Sequence, residues 1–173
     1  MRGGPVTARG GFGPAHGVLC GAAAGAAGTT VLNTVGYLDM LLRGRSASSA
    51  PETTVERLSD ATHVPIPGDA DTRRNRVAAL GPLTGIAAGA GMGATLGLAL
   101  GCGWRPQTVV LTATATVGAL IGTNGPMTVL RVTDPRTWSR SDWISDIVPH
   151  VAYALVTTAV LTGLRAGRVR IAR

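Results

Sequence analysis

The sequence predicts an all-α membrane protein, a four-span transmembrane helix bundle with small-residue, GxxxG-type packing and a short amphipathic loop helix. Three observations predict it. The stretch from Val77 to Cys102 carries no charged residue, and twenty helical residues rise about 30 Å, the thickness of a bilayer's hydrocarbon core. Glycine recurs there at every fourth position, as Gly81, Gly85, Gly89, Gly93, Gly97 and Gly101. Only 14% of the chain is charged, against about 25% in an ordinary soluble domain. A soluble helix would lose roughly 1 kcal/mol per glycine relative to alanine. In lipid, by contrast, helices associate through close backbone contact at small residues.

The elements follow in order along one membrane domain, residues 1–173. The first span is expected over about 16–42, since the apolar run from Gly17 outlasts the core of a signal peptide and reads as a retained helix. It carries Gly17, Gly21, Gly25, Thr29 and Asn33 at intervals of four. The only sizeable polar segment follows, over 43–75. Within it, Pro51 to Thr62 suits a short helix lying on the membrane surface, with Val55, Leu58 and Thr62 at helical spacing. The turn-rich run from Val64 to Asp69 connects to the second span, about 76–102.

A short turn, Gly103 to Pro106, leads to the third span, about 107–130. It carries Thr114, Gly118 and Gly122, and Asn124-Gly-Pro is expected to kink or end it. The fourth span is expected over about 146–164. Trp104, Trp138 and Trp143 stand beside span ends, as an interfacial aromatic belt requires.

All sixteen basic residues are arginine, and the chain is rich in glycine and alanine. That composition fits a high-GC genome, yet codon bias does not set phase: between Gly81 and Gly101 only Gly91 lies off the four-residue ladder. Each step of four advances about 40° around a helix, so the ladder wraps through roughly 200° and serves more than one neighbour. The net charge of +7 does not point to nucleic acid, because the arginines flank apolar spans instead of clustering as a phosphate-binding surface. Arg2, Arg9, Arg105, Arg165, Arg168, Arg170 and Arg173 fall on the terminal face, against nine arginines on the loop face, so charge does not set orientation.

Span order makes a firmer statement. It brings Asp39, Asn124, Asp146 and His150 to the loop-side leaflet, as a candidate polar or proton-relay cluster. Asp146 and His150 are four apart on one helix face, and a carboxylate beside an imidazole can orient it and relay protons. The alternative makes Asp146 a helix N-cap with Pro149 in the first turn, and Asp39 an interfacial partner of Arg43. Asn33 lies deeper in its span, where an amide wants an interhelical partner and serves as a packing clasp. On the opposite leaflet His16, Cys20 and Cys102 offer soft ligands, a weak metal set with no recognised spacing. No nucleotide-binding, hydrolase or metalloprotease motif is present, and no cofactor is implied.

Three stretches together carry a resemblance: Tyr37 through Glu52, Gly125-Pro-Met-Thr, and Val132 through Ser139 with Pro149-His150. On these, the chain resembles a family of small actinobacterial integral membrane proteins with no assigned function. The resemblance implies a four-span protein of the inner (plasma) membrane and brings no activity or cofactor with it.

The expected partners are the lipid bilayer and a second copy or a larger membrane complex. The leading expectation is a non-enzymatic protein working through helix packing, with Gly21, Gly25 and the six ladder glycines as its contact surface. The alternative is a small transporter or channel subunit moving protons or a small solute through the polar leaflet. A membrane-embedded enzyme or metal protein ranks third.

Overall fold

The computed structural model describes residues 13–171, with side chains through Ala166. Arg2, Arg9, Arg168, Arg170 and Arg173 lie outside the described side chains. The described residues form five α-helices and one 3-10 turn, with no strand: α1 (Pro14–Arg43), α2 (Ala50–Thr62), α3 (Ala70–Gly101), α4 (Thr108–Val129), the turn Pro135–Thr137, and α5 (Arg140–Ile171). Four of them, α1, α3, α4 and α5 over Arg140–Ala166, are long and apolar enough to cross a membrane. The chain is thus a multi-pass membrane protein by the length and composition of its helices.

Local chemistry sets the helix ends. Pro14 opens α1, where its missing N–H costs nothing, and Gly44 closes it in the left-handed region at φ 63°. Asp69 caps α3 by accepting the Thr72 N–H at 2.8 Å. That bond holds the Asp69 carboxyl below the usual carboxylate range. At the far end of α3, Arg105 donates to the Leu100 carbonyl at 2.6 Å and satisfies one of the terminal acceptors.

Two expectations about helix ends are corrected. α4 does not stop at Asn124-Gly-Pro; it runs through Pro126 to Val129 and closes with the Leu130 N–H on the Pro126 carbonyl at 2.9 Å. A single proline removes one donor, and a remaining turn of helix satisfies the rest. α5 begins at Arg140, six residues before the expected start. Ser139 and Asp142 form a reciprocal cap: the Ser139 N–H donates to the Asp142 carboxylate at 2.9 Å, and Ser139 Oγ accepts the Asp142 N–H at 3.2 Å. Asp146 is therefore not the N-cap of the last helix. It and Pro149 stand inside the helix.

The four long helices form a ring in which α1 touches α3 and α5, and α4 closes the gap between α3 and α5. Neighbours run antiparallel. The closest approach lies between α1 and α3, where a Cβ on Gly17, Gly21 or Gly25 would collide with the carbonyl oxygen of Gly97, Gly93 or Gly89 in turn. Gly101 meets Pro14, while Gly81 meets Pro51 and Glu52 of α2. The ladder glycines therefore meet three neighbours: Gly81 meets α2, Gly93, Gly97 and Gly101 meet α1, and Gly89 meets both Thr29 of α1 and Tyr153 of α5. Gly85 has nothing within 4 Å of the position a Cβ would take.

Beside this seam sits the core: Ala24, Leu96, Leu100, Leu111, Ala115, Ala119, Tyr153, Ala154 and Leu161. It runs from mid-span, at Ala119, Tyr153 and Ala154, to the end away from the polar loop, at Leu100, Leu111 and Leu161. Toward the loop, α3 parts from the ring, and every residue from Pro82 to Ala88 is exposed. Beyond that gap α2 packs antiparallel on the start of α3, with Pro51 at Gly81 and Glu56 bridged to Arg73 at 2.9 Å. Val55 is buried. The loop helix is thus seated on the start of α3.

Threonine hydroxyls are mostly satisfied within their own helices. In α4, Thr112, Thr114, Thr116, Thr123 and Thr128 each donate to the carbonyl four residues back, at 2.7–3.0 Å.

Candidate functional site

The loop-side end of the ring holds two polar clusters on the first turns of α5. In the first, α4 and α5 meet through side chains. Asn124 Nδ2 donates to Asp146 Oδ2 at 2.8 Å. His150, one turn along α5, is 7% exposed. Its Nδ1 lies 2.7 Å from the Asp146 backbone carbonyl and 3.6 Å from Asp146 Oδ1. Its Nε2 lies 3.2 Å from Thr123 Oγ1.

A carbonyl and a carboxylate only accept, so Nδ1 is the donor toward Asp146. Thr123 has a single hydroxyl hydrogen, and its oxygen also stands 2.9 Å from the Ala119 carbonyl. That hydrogen serves either the Ala119 carbonyl or Nε2, and the Asp146 carboxylate stands beside the ring. The Asn124 Oδ1 atom beside it is buried and has no hydrogen-bond partner.

The second cluster centres on Asp39 of α1. Arg43 lies 3.4 Å away, Arg45 donates at 2.5 Å, and Ser145 of α5 donates its hydroxyl at 3.2 Å. Asp39 is thus tied to α5 through Ser145, next to Asp146 in sequence. Among the described residues no hydrogen bond or ion pair joins it to Asn124, Asp146 or His150. The expected four-residue cluster is in fact a three-residue network with Thr123 added, and a separate arginine-bound carboxylate.

The other expected sites resolve differently. Asn33 is exposed, and among the described residues no hydrogen bond links it to another helix, so it is not a clasp within this chain. By the register of the α1–α3 seam it is level with Gly81. Cys20 Sγ lies 3.3 Å from His16 Nε2, while Cys102 is exposed and both cysteines are free thiols. Among the described residues no three His, Cys, Asp or Glu side chains gather to hold a metal ion, which corrects the His16, Cys20 and Cys102 set.

Three participants had no sequence signal. Thr123 and Ser145 are ordinary polar residues until α4 and α1 are laid against α5. Tyr153, 1% exposed, donates its hydroxyl to the Gly89 carbonyl at 2.7 Å and ties α5 to the seam. Only its spacing of three from His150, on one face of the helix, could have marked it.

Comparison of the chain with protein-family models, with curated proteins and with solved structures finds no match.

Proposed function

We propose that this chain is a non-enzymatic protein of the inner membrane that works through helix packing, as an oligomer or as the accessory subunit of a larger membrane complex. The observation that carries this reading is the uncovered segment of α3. Pro82 to Ala88 spans about two turns, and all seven residues are exposed. A helix in a closed bundle buries one face, so two turns without a buried face form a stretch that this chain leaves to something else. Gly85, open to close backbone approach, lies at its centre.

A second observation supports it independently. Asn33 sits about 15 Å along the helix from Arg43, near mid-span, and it is exposed with no hydrogen bond. An amide facing lipid is stabilised by a partner helix, by about 0.6–2 kcal/mol. Under this proposal the α1–α3 glycine seam is a glycine zipper that holds the chain together, and the open segment holds the assembly together. The family resemblance in the three stretches quoted above belongs to the same proposal.

The test is oxidative cross-linking in native membranes. With Cys20→Ser and Cys102→Ser as background, Gly85→Cys or Asn33→Cys is expected to give a covalent species above the monomer, and Val117→Cys, exposed on α4, none. If neither of the first two variants leaves the monomer position, the packing proposal fails.

One observation favours a second reading, a small transporter or channel subunit moving protons. His150 is buried, has a hydrogen-bond partner at each ring nitrogen, and has a carboxylate and an unsatisfied amide oxygen beside it. Ionisable groups in spans usually line substrate or proton paths. Proton flux into proteoliposomes is then expected for the wild type and lost in His150→Ala and Asp146→Asn. Absence of flux, or flux indifferent to both substitutions, removes this reading.

A further inference from the structure

We propose that the outer face of α4 at the loop end is a binding site for one anionic phospholipid, its acyl chain lying along the helix and its phosphate met by Arg131 and Arg140. The groove is lined by Leu120, Ile121, Asn124, Gly125, Thr128 and Val129 of α4, with Pro135 and Trp143 at its end. The α4 residues form a single stripe whose ten-residue length, nine helical steps, rises about 13 Å, roughly half the hydrocarbon core, which is the reach of one acyl chain. Nearly all of its surface is apolar.

The end of the groove is built for a headgroup. Trp143 meets Trp138 edge-on at 4.9 Å, and Trp138 Nε1 donates to Thr133 Oγ1 at 2.8 Å, fixing an aromatic wall of the kind that sits at the membrane–water interface. Arg131 follows Val129 by two residues, where the chain leaves α4 through the left-handed region at φ 56°. Arg140 precedes Trp143 by three on α5 and shares its helix face. Both arginines are exposed, and among the described residues neither has a carboxylate partner. Arg136 between them differs: Asp134 holds its guanidinium at 3.0 and 3.1 Å, and Arg136 in turn keeps the Asp134 carboxyl below its ordinary range. The fold thus neutralises one arginine of the elbow and leaves two.

A guanidinium binds phosphate through paired N–H donors, so charge selects an anionic lipid over a zwitterionic one. A second copy docked here about a twofold axis would set Arg131 and Arg140 against their own counterparts, which charge opposes. The site shares Asn124 with the Asp146–His150 network but lies apart from the uncovered segment of α3, and its lipid preference is read independently of the functional proposal.

The test is native mass spectrometry of delipidated protein in detergent with palmitoyl-oleoyl phosphatidylglycerol or phosphatidylcholine, each added alone. Retention of one phosphatidylglycerol is expected to exceed that of phosphatidylcholine by roughly tenfold, in keeping with two near-surface arginines. R131Q/R140Q is expected to bring the two lipids level. Gly125→Leu, whose Cβ meets only Ile121 at 4.0 Å, fills the groove without disturbing the bundle and is expected to reduce retention of both. Equal retention of the two lipids by the wild type overturns the proposal, as does a phosphatidylglycerol preference that survives R131Q/R140Q.

Discussion

Asn124 reaches Asp146 across the α4–α5 boundary with a 2.8 Å hydrogen bond, and no other side-chain bond except that between Thr123 and His150 joins those two helices among the described residues. Replacing Asn124 by Leu strips the carboxylate of its amide donor in a partly buried setting. A loss of about 1–3 kcal/mol is expected, the cost of leaving such a group short of a partner. Reversible denaturation in detergent measures it, and an unchanged midpoint would show that the bond contributes nothing.

Gly93 and Gly91 are two residues apart on α3 and separate packing from composition. A side chain at Gly93 drives into the carbonyl of Gly21 and the backbone of Gly25, whereas one at Gly91 meets nothing within 4 Å. Gly93→Leu is expected to destabilise the bundle by about 3 kcal/mol or more, because the obstacle is backbone and cannot rotate away. Gly91→Leu should leave thermal stability unchanged. Equal effects would mean that the α1–α3 seam does not depend on the absent side chain.

The start of α5 rests on Ser139. Ser139→Ala removes the acceptor for the Asp142 N–H and is expected to cost about 1 kcal/mol, with fraying of the first turn. Trp143 lies in that turn and Trp138 against it, so tryptophan emission reports the change directly. Faster amide exchange at Asp142 would accompany it.

The cap on α3 makes its start sensitive to acid. Hydrogen bonding to Thr72 lowers the Asp69 carboxyl in the folded chain, so its stabilisation is complete above the unfolded value near pH 4 and disappears as pH falls through the lowered folded value. Amide exchange at Thr72 and Arg73 should accelerate over that acid range. Asn caps comparably and does not titrate, so Asp69→Asn is expected to flatten the dependence. A profile unaltered by that substitution would assign the acid sensitivity elsewhere.

Four spans are legible in the sequence because lipid imposes a one-dimensional rule: a charge-free window of helical length is visible without any tertiary contact. Helix ends are less so. The Ser139–Asp142 cap lies outside the apolar window that marks α5, which moves the apparent start to Asp146 and makes a partly buried carboxylate within the helix resemble a cap. Span parity correctly gathers Asn124, Asp146 and His150 at one end, since it depends only on the number of crossings. Parity gives depth without azimuth, however. It does not separate Asp39, on the α1 side of α5, from Asn124 on the α4 side, and it does not reveal Thr123 or Ser145, which acquire partners only from helix rotation.

The self-satisfied threonines of α4 have a mechanical consequence. A hydroxyl that donates to its own helix makes no demand on a neighbour, so Thr112, Thr114 and Thr116 exert no torque between helices. Among the described residues only Thr123 and Asn124 couple α4 to α5 by direction, and both sit in one turn at one end. α4 is consequently a rod keyed at a single point, its roll about its own axis fixed at the loop-side end, with shape alone to resist rotation along the rest.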